Sequence, residues 1–233
     1  MNAMKSQKVT LATLSKSCLL GLMLVGLLGC ATAGYKKSDA AAHSLQTASR
    51  EVTAESRALE LTLHTLNDLV NQPGADLKPQ FKRFSTALDK LLAASDRNER
   101  SEREIAKKSE AYFQAWDEEM ATMNYEVVRS NSQARKAQAT NDFHNVHQRY
   151  VEAQTAMRPL LSYLVDIRKA LSADLTQKGL DSIKPIVKNA EENSAKVQLA
   201  LGRLTNELNA SGSRLASYAY QSAQAQGSQA GSK

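Results

Sequence analysis

Large apolar residues recur every seven positions along most of this chain, in paired rows three or four residues apart, as in amphipathic helices packed like coiled coils. Leu45, Val52, Leu59 and Leu66 form the first row, with Leu63 and Val70 beside them. Asn71, Gln72, Pro73 and Gly74 then break the pattern, which predicts a first helix over 38–71. Next, Leu77, Phe84, Leu91, Ile105 and Tyr112 make one row, and Phe81, Leu88, Trp116 and Met123 the other. Asp76 suits the N-cap of this second helix, with Pro79 tolerated in its first turn. Ser95, Asn98 and Glu102 interrupt the rows inside the polar stretch 96–104, which predicts a wet or loosely packed seam.

The third helix has the clearest pattern, with Phe143, Tyr150, Met157, Leu164 and Leu171 in one row and Val146, Ala153, Leu160 and Ile167 in the other. Rows extended forward from the second helix miss these positions by one residue, so a turn is expected between Met123 and Phe143. Asn124 is the first choice of N-cap, Thr140, Asn141 and Asp142 the second, and one unbroken helix with a skipped register the third. Pro159 removes a backbone donor inside this helix, at a cost of about 3 kcal/mol, and predicts a kink. Gly179 suits a left-handed cap beyond a helix end near Thr176, and Asp181 or Ser182 the next N-cap. Leu180, Val187, Leu201, Leu208 and Leu215, with Ile183, Ala190, Val197 and Leu204, make the fourth helix.

Short connections make neighbouring helices antiparallel. The fold class is therefore all-α: an elongated up-down-up-down bundle of about four long helices over 38–212, followed by a flexible low-complexity tail over 213–233. Outer helices of roughly 30 residues and inner ones of roughly 45–50 predict an overhanging hairpin between the second and third. That tip holds Tyr112, Phe113, Trp116, Met120, Met123 and Tyr125, which either complete the hairpin core or form an interaction surface for a membrane or a protein.

One apolar run lies outside this pattern. Lys5, Lys8 and Lys16 precede eleven apolar or glycine residues, Cys18 to Leu28, the layout of a secretory signal peptide too short to remain as a membrane-spanning helix. Leu27, Leu28, Gly29 and Cys30 resemble the lipobox of bacterial lipoproteins. That resemblance implies a signal peptide over 1–29, cleavage between Gly29 and Cys30, and a diacylglycerol on the Cys30 sulfur. It also implies an acyl chain, of the palmitate kind, on the Cys30 amine. A lipidated N-terminus and short tether would then occupy 30–37. Several acyl chains give stable rather than reversible anchoring. Ala31, where an aspartate would favour inner-membrane retention, implies the outer membrane.

Cleavage alters the charge. The 30 Lys and Arg against 24 Asp and Glu give +6, but the leader carries three lysines and no acid, so the mature chain falls to +3. Scattered pairs such as Lys36 with Lys37 and Arg135 with Lys136 make no phosphate track, and no nucleic-acid partner is expected. With Cys18 removed and Cys30 acylated, no thiol remains for a disulfide, nucleophile or metal.

Other chemistry is thin. His144 and His147 share a helix face, but a closed metal site would need His43 or His64 to join them, so neither metal nor cofactor is expected. The Glu-x-x-His pairs of di-iron bundles are missing, and Asp117, Glu118 and Glu119 diverge around a helix instead of pairing. Lys233 is placed like the wall-linked terminal lysine of the major enteric lipoprotein, although a flexible tail of about twenty residues reaches only about 25 Å.

The stretches AYFQAWDEEM at 111–120 and MRPLLSYLVDIRKALSADLTQKGLDSI at 157–183 resemble an uncharacterised bacterial family, domain of unknown function 2959. The resemblance spans most of 35–210 and implies an all-helical envelope protein, with no catalytic or binding residues to carry over. The expectation is a non-enzymatic, lipid-anchored protein of the outer membrane facing the periplasm. Its partners would be membrane lipid through Cys30 and an envelope protein, and its bundle a structural or interaction module. The alternative is a periplasmic bundle that binds a lipid or small molecule in an apolar gap opened by Pro159.

Overall fold

The structure, a computed structural model, describes residues 33–230. The expected signal peptide over 1–29, the expected cleavage and lipidation residues Gly29 and Cys30, and Lys233 lie outside the described residues.

Four helices follow one another: α1 Ala33–Asn71, α2 Lys78–Ala121, α3 Glu126–Ala173 and α4 Gln177–Ala230. Each packs on two neighbours, α1 on α2 and α4, α3 on α2 and α4, while the diagonal pairs do not approach. This is a square, antiparallel, up-down-up-down bundle in which α2 and α3 form the loosest pair. The seven-residue rows are its core. Leu45, Val52, Leu59, Phe84, Leu88, Leu91, Leu160, Leu164, Ile167, Leu171, Leu180, Val197, Leu204 and Leu208 are all fully enclosed.

Polar bridges close the seams. Between α2 and α3, Arg168 meets Asp89, Gln154 and His147 meet Glu102, and Lys136 meets Asp117. Between α3 and α4, the Arg214 guanidinium donates to Asp142 at 2.9 Å, and within α4 it donates to Glu207 at 3.1 Å; these bonds raise its pKa.

Several boundaries differ from expectation. α1 begins at Ala33, not residue 38. The α2–α3 turn lies at 122–125, with Tyr125, not Asn124, in the cap position. The alternatives of a cap at Thr140, Asn141 and Asp142, or of an unbroken helix, are overturned by the same turn. Leu77 holds the cap position of α2, while Asp76 Oδ1 accepts from the Lys78 amide at 3.0 Å.

Gly179 is not a left-handed cap, since no described glycine has a positive φ. It sits in the first turn of α4, where Thr176 Oγ1 accepts its amide at 3.2 Å, displacing Asp181 and Ser182 from that role. Glycine is needed there because a Cβ would collide with the Asp174 carbonyl.

α4 continues as helix to Ala230, through the region predicted to be a flexible tail from 213. Ser211 and Gly212 are buried against the bundle, and a Cβ on Gly212 would come within 3.6 Å of Leu45 Cβ, so small residues substitute here for large apolar ones. With 39, 44, 48 and 54 residues, the helices are too similar in length for the inner pair to overhang alone. Pro159 is exposed, and α3 runs through it unbroken.

Candidate functional site

Two places bear on function: the end of the bundle where α1 begins, and a polar layer at mid-height.

At the first, the Gly34 amide donates to Glu119 Oε1 at 3.2 Å, placing the start of α1 beside the end of α2. Of the six predicted tip residues, Tyr112 is buried, and Phe113, Trp116, Met120 and Met123 are half-buried. Tyr112 lies 5.4 Å from Phe113 and 5.2 Å from Trp116 between ring centroids. Phe113 meets Phe143 edge to face at 5.6 Å. Each such pair contributes about 0.5–1.5 kcal/mol beyond area burial. Trp116 Nε1 donates to Ser132 Oγ at 2.8 Å, tying α2 to α3.

The cluster is therefore mostly hairpin core. Tyr125 is the exception, 79% exposed, and beside it stand two residues that the row pattern passed over, Val127 at 73% and Val128 at 51%.

The second place was missed as a site. Ala41, Ala48, Glu55, Thr62 and Leu69 form a buried row on α1, hidden from a search for large apolars because only one member is large. On α2, Asn98 continues the row of Leu91 and Ile105, and the two polar residues meet. Asn98 Nδ2 donates to Glu55 Oε2 at 2.6 Å. Asn98 is thus engaged within the chain as part of an internal polar layer, while Asp96, Arg97, Glu99, Arg100, Arg103 and Glu104 around it are exposed, as expected of a wet seam.

Burial pushes the Glu55 carboxyl above the usual carboxylate range, and the Glu99 charge adds to this, against the lowering effect of bonds from Ser95 and Asn98. Tyr150, on α3, has its phenol pushed up by burial and by the Glu102 and Glu55 charges. Neither its hydroxyl nor Asn98 Oδ1 has a partner among the described residues. A cavity of about 40 Å³, lined in part by Glu55, Ser95, Asn98, Glu99 and Gln154, opens at this level and has room for water but not for an organic ligand.

The sign of the Glu55 effect is testable. Its folded pKa is raised, so its contribution is fully present below the ordinary carboxylate pKa and is lost as pH rises through the higher folded value. Glu55→Gln keeps an amide partner for Asn98 and removes the charge. It is expected to melt several degrees higher than the wild type at neutral pH, and to match it in mild acid. Thermal melts across pH check this, and a variant less stable than wild type at neutral pH would contradict it.

The predicted metal candidates are not brought together. His144 Nε2 lies 3.0 Å from Gln148 Nε2, His147 faces Glu102 at 3.3 Å, and His64 faces Asp68 at 3.3 Å. Among the described residues, no three His, Cys, Asp or Glu side chains converge as a metal site. Asp117, Glu118 and Glu119 diverge, toward Lys136, Gln114 and Gly34 respectively. No helix among the described residues is long and apolar enough to cross a membrane.

Nothing among curated proteins matches the chain. A family described as "Protein of unknown function (DUF2959)" does match, over residues 29–221, a span that takes in α1, α2 and α3 whole and α4 up to residue 221. A match over that span, on a fold whose buried rows run through it from α1 to α4, places the chain in this family of helical bundles of unknown function.

Proposed function

We propose that the chain is a non-catalytic lipoprotein of the bacterial envelope, anchored by acyl chains on Cys30 and presenting its bundle as a rigid interaction or spacer module. The observation that carries this reading is the likeness of Leu27, Leu28, Gly29 and Cys30 to a lipobox, ending a few residues before a helix begins at Ala33. Four acyl-proximal residues and a rod of about 60–80 Å per helix suit a body held close to one leaflet and reaching into the periplasm. The outer membrane is favoured over the inner because Ala31 follows the cysteine. An apolar-ligand function is less well supported, since the mid-bundle cavity, of about 40 Å³, is far below the roughly 300 Å³ of ordinary ligand pockets.

Intact-mass measurement on protein purified from membranes, combined with photo-crosslinking in cells from Leu199 on the exposed flank of α4, tests the proposal. The expected result is a mature chain starting at Cys30 with added diacylglycerol and acyl mass, and a protein adduct from the flank. A bare sulfur on an uncleaved leader would end the anchor reading. Recovery of lipid alone would favour the ligand-binding alternative.

A further inference from the structure

We propose that the turn joining α2 to α3 is a second membrane contact, with Tyr125, Val127 and Val128 resting in the interfacial layer of the leaflet that holds the Cys30 acyl chains. This rests on the reading that Cys30 is acylated, and it adds which end of the bundle touches the bilayer and through which side chains.

Covalent reach sets the position. From Cys30 to Gly34 is four residues, which span at most about 14 Å even when fully extended. The Gly34 amide is bonded to Glu119 at 3.2 Å, and α2 ends at Ala121, two residues further toward the turn. An acyl group on Cys30 is therefore confined to the neighbourhood of this turn, whatever path the tether takes.

The two ends of the bundle differ in the way such a placement requires. At the far end, Gln72, Pro73, Gly74, Ala75 and Asp76 are all exposed and include no large apolar side chain. At the near end, three large apolar residues stand exposed within four positions, at 79%, 73% and 51%. Two are valines in the first turn of α3, a place where soluble helices favour acidic or small polar residues. Tyrosine suits the headgroup level, with its ring in the apolar boundary and its hydroxyl in water, and valine suits the layer just beneath.

Charge at the turn itself is balanced, since Glu126 and Arg129 pair with each other at 3.6 Å beside the exposed valines. The contact is apolar, so its occupant is the bilayer itself and not a particular headgroup.

The test uses the acylated full chain, purified from membranes and reconstituted into vesicles of zwitterionic phospholipid. Acylation leaves no free thiol, so Val127→Cys can carry a single nitroxide label, with Gln72→Cys as the far-end control. The expected result is a several-fold fall in collisions with a water-soluble nickel chelate, and a rise in collisions with oxygen, at position 127 relative to 72. Equal accessibility at both sites, in protein that is acylated and vesicle-bound, would overturn the contact while leaving the anchor intact. Protection at 127 without oxygen enrichment would assign the surface to a protein or a second copy, and protection that appears only with anionic lipid would assign it to a headgroup; either overturns the proposal. A bare Cys30 sulfur removes the anchor and the contact together.

Discussion

Cys30→Ser is expected to release the protein from the membrane. The variant keeps every residue of the bundle core but loses the only group proposed to carry acyl chains, so it should shift from the membrane pellet to the soluble envelope fraction. The contact proposed for Tyr125, Val127 and Val128 does not hold the protein there by itself, because three partly exposed side chains bury far less apolar surface than two or three acyl chains. Fractionation with immunodetection reads the result. Circular dichroism of the released protein should still show a wholly helical spectrum, which separates loss of anchoring from loss of fold. Retention of Cys30→Ser in the membrane pellet after a high-salt wash would mean that something other than an acylated cysteine holds the chain.

The second large effect concerns stability. Phe84→Ala should cost about 3–5 kcal/mol, because the ring is fully enclosed and its removal leaves both lost burial and a cavity. For a domain of this size that corresponds to a fall in melting temperature of roughly 10 °C. Phe81→Ala is the control. The two phenylalanines lie one turn apart, in sister rows that the sequence alone ranks as equals, yet Phe81 is only half-buried. Its replacement should cost less than half as much. Equal losses at the two positions would show that the α2 face turned toward the core is not the one described.

The helices and their core were legible in the sequence wherever large side chains repeat. All five members of the row Leu180, Val187, Leu201, Leu208 and Leu215 are buried, as are Leu45, Val52, Leu59 and Leu66. The burial that small or polar residues provide was not legible. The row Ala41, Ala48, Glu55, Thr62 and Leu69 on α1, and the Ser132 to Ala139 start of the α3 row, bury as fully as leucines but carry too little hydrophobicity to register as periodic. The same cause shortened α4, because the Ser, Ala, Gln and Gly residues from 213 onward look like a linker although the helix runs to Ala230.

Ends were less legible than middles for a related reason. A cap depends on a few local bonds: the sequence marked Asp76, which does accept the Lys78 amide, but spacing does not reveal Thr176 or Glu119. The aromatic cluster was correctly placed at the α2–α3 hairpin, but α1 starts early enough to reach Glu119, and Tyr112 is enclosed. Only Tyr125 among the six remained outside, and its valine neighbours belong to no row.

The meeting of Glu55 with Asn98 has a bearing on how the chain finds its alignment. Rows of leucine spaced by seven are nearly self-similar, so a helix displaced lengthwise by one repeat would still find oil opposite oil. The carboxyl breaks that degeneracy: shifted by one repeat, it would face Leu91 or Ile105 and lose its amide donor. A side chain that weakens the bundle at neutral pH thereby acts as its indexing mark, and a sequence made more uniformly greasy at this height would gain cohesion while losing its sense of place.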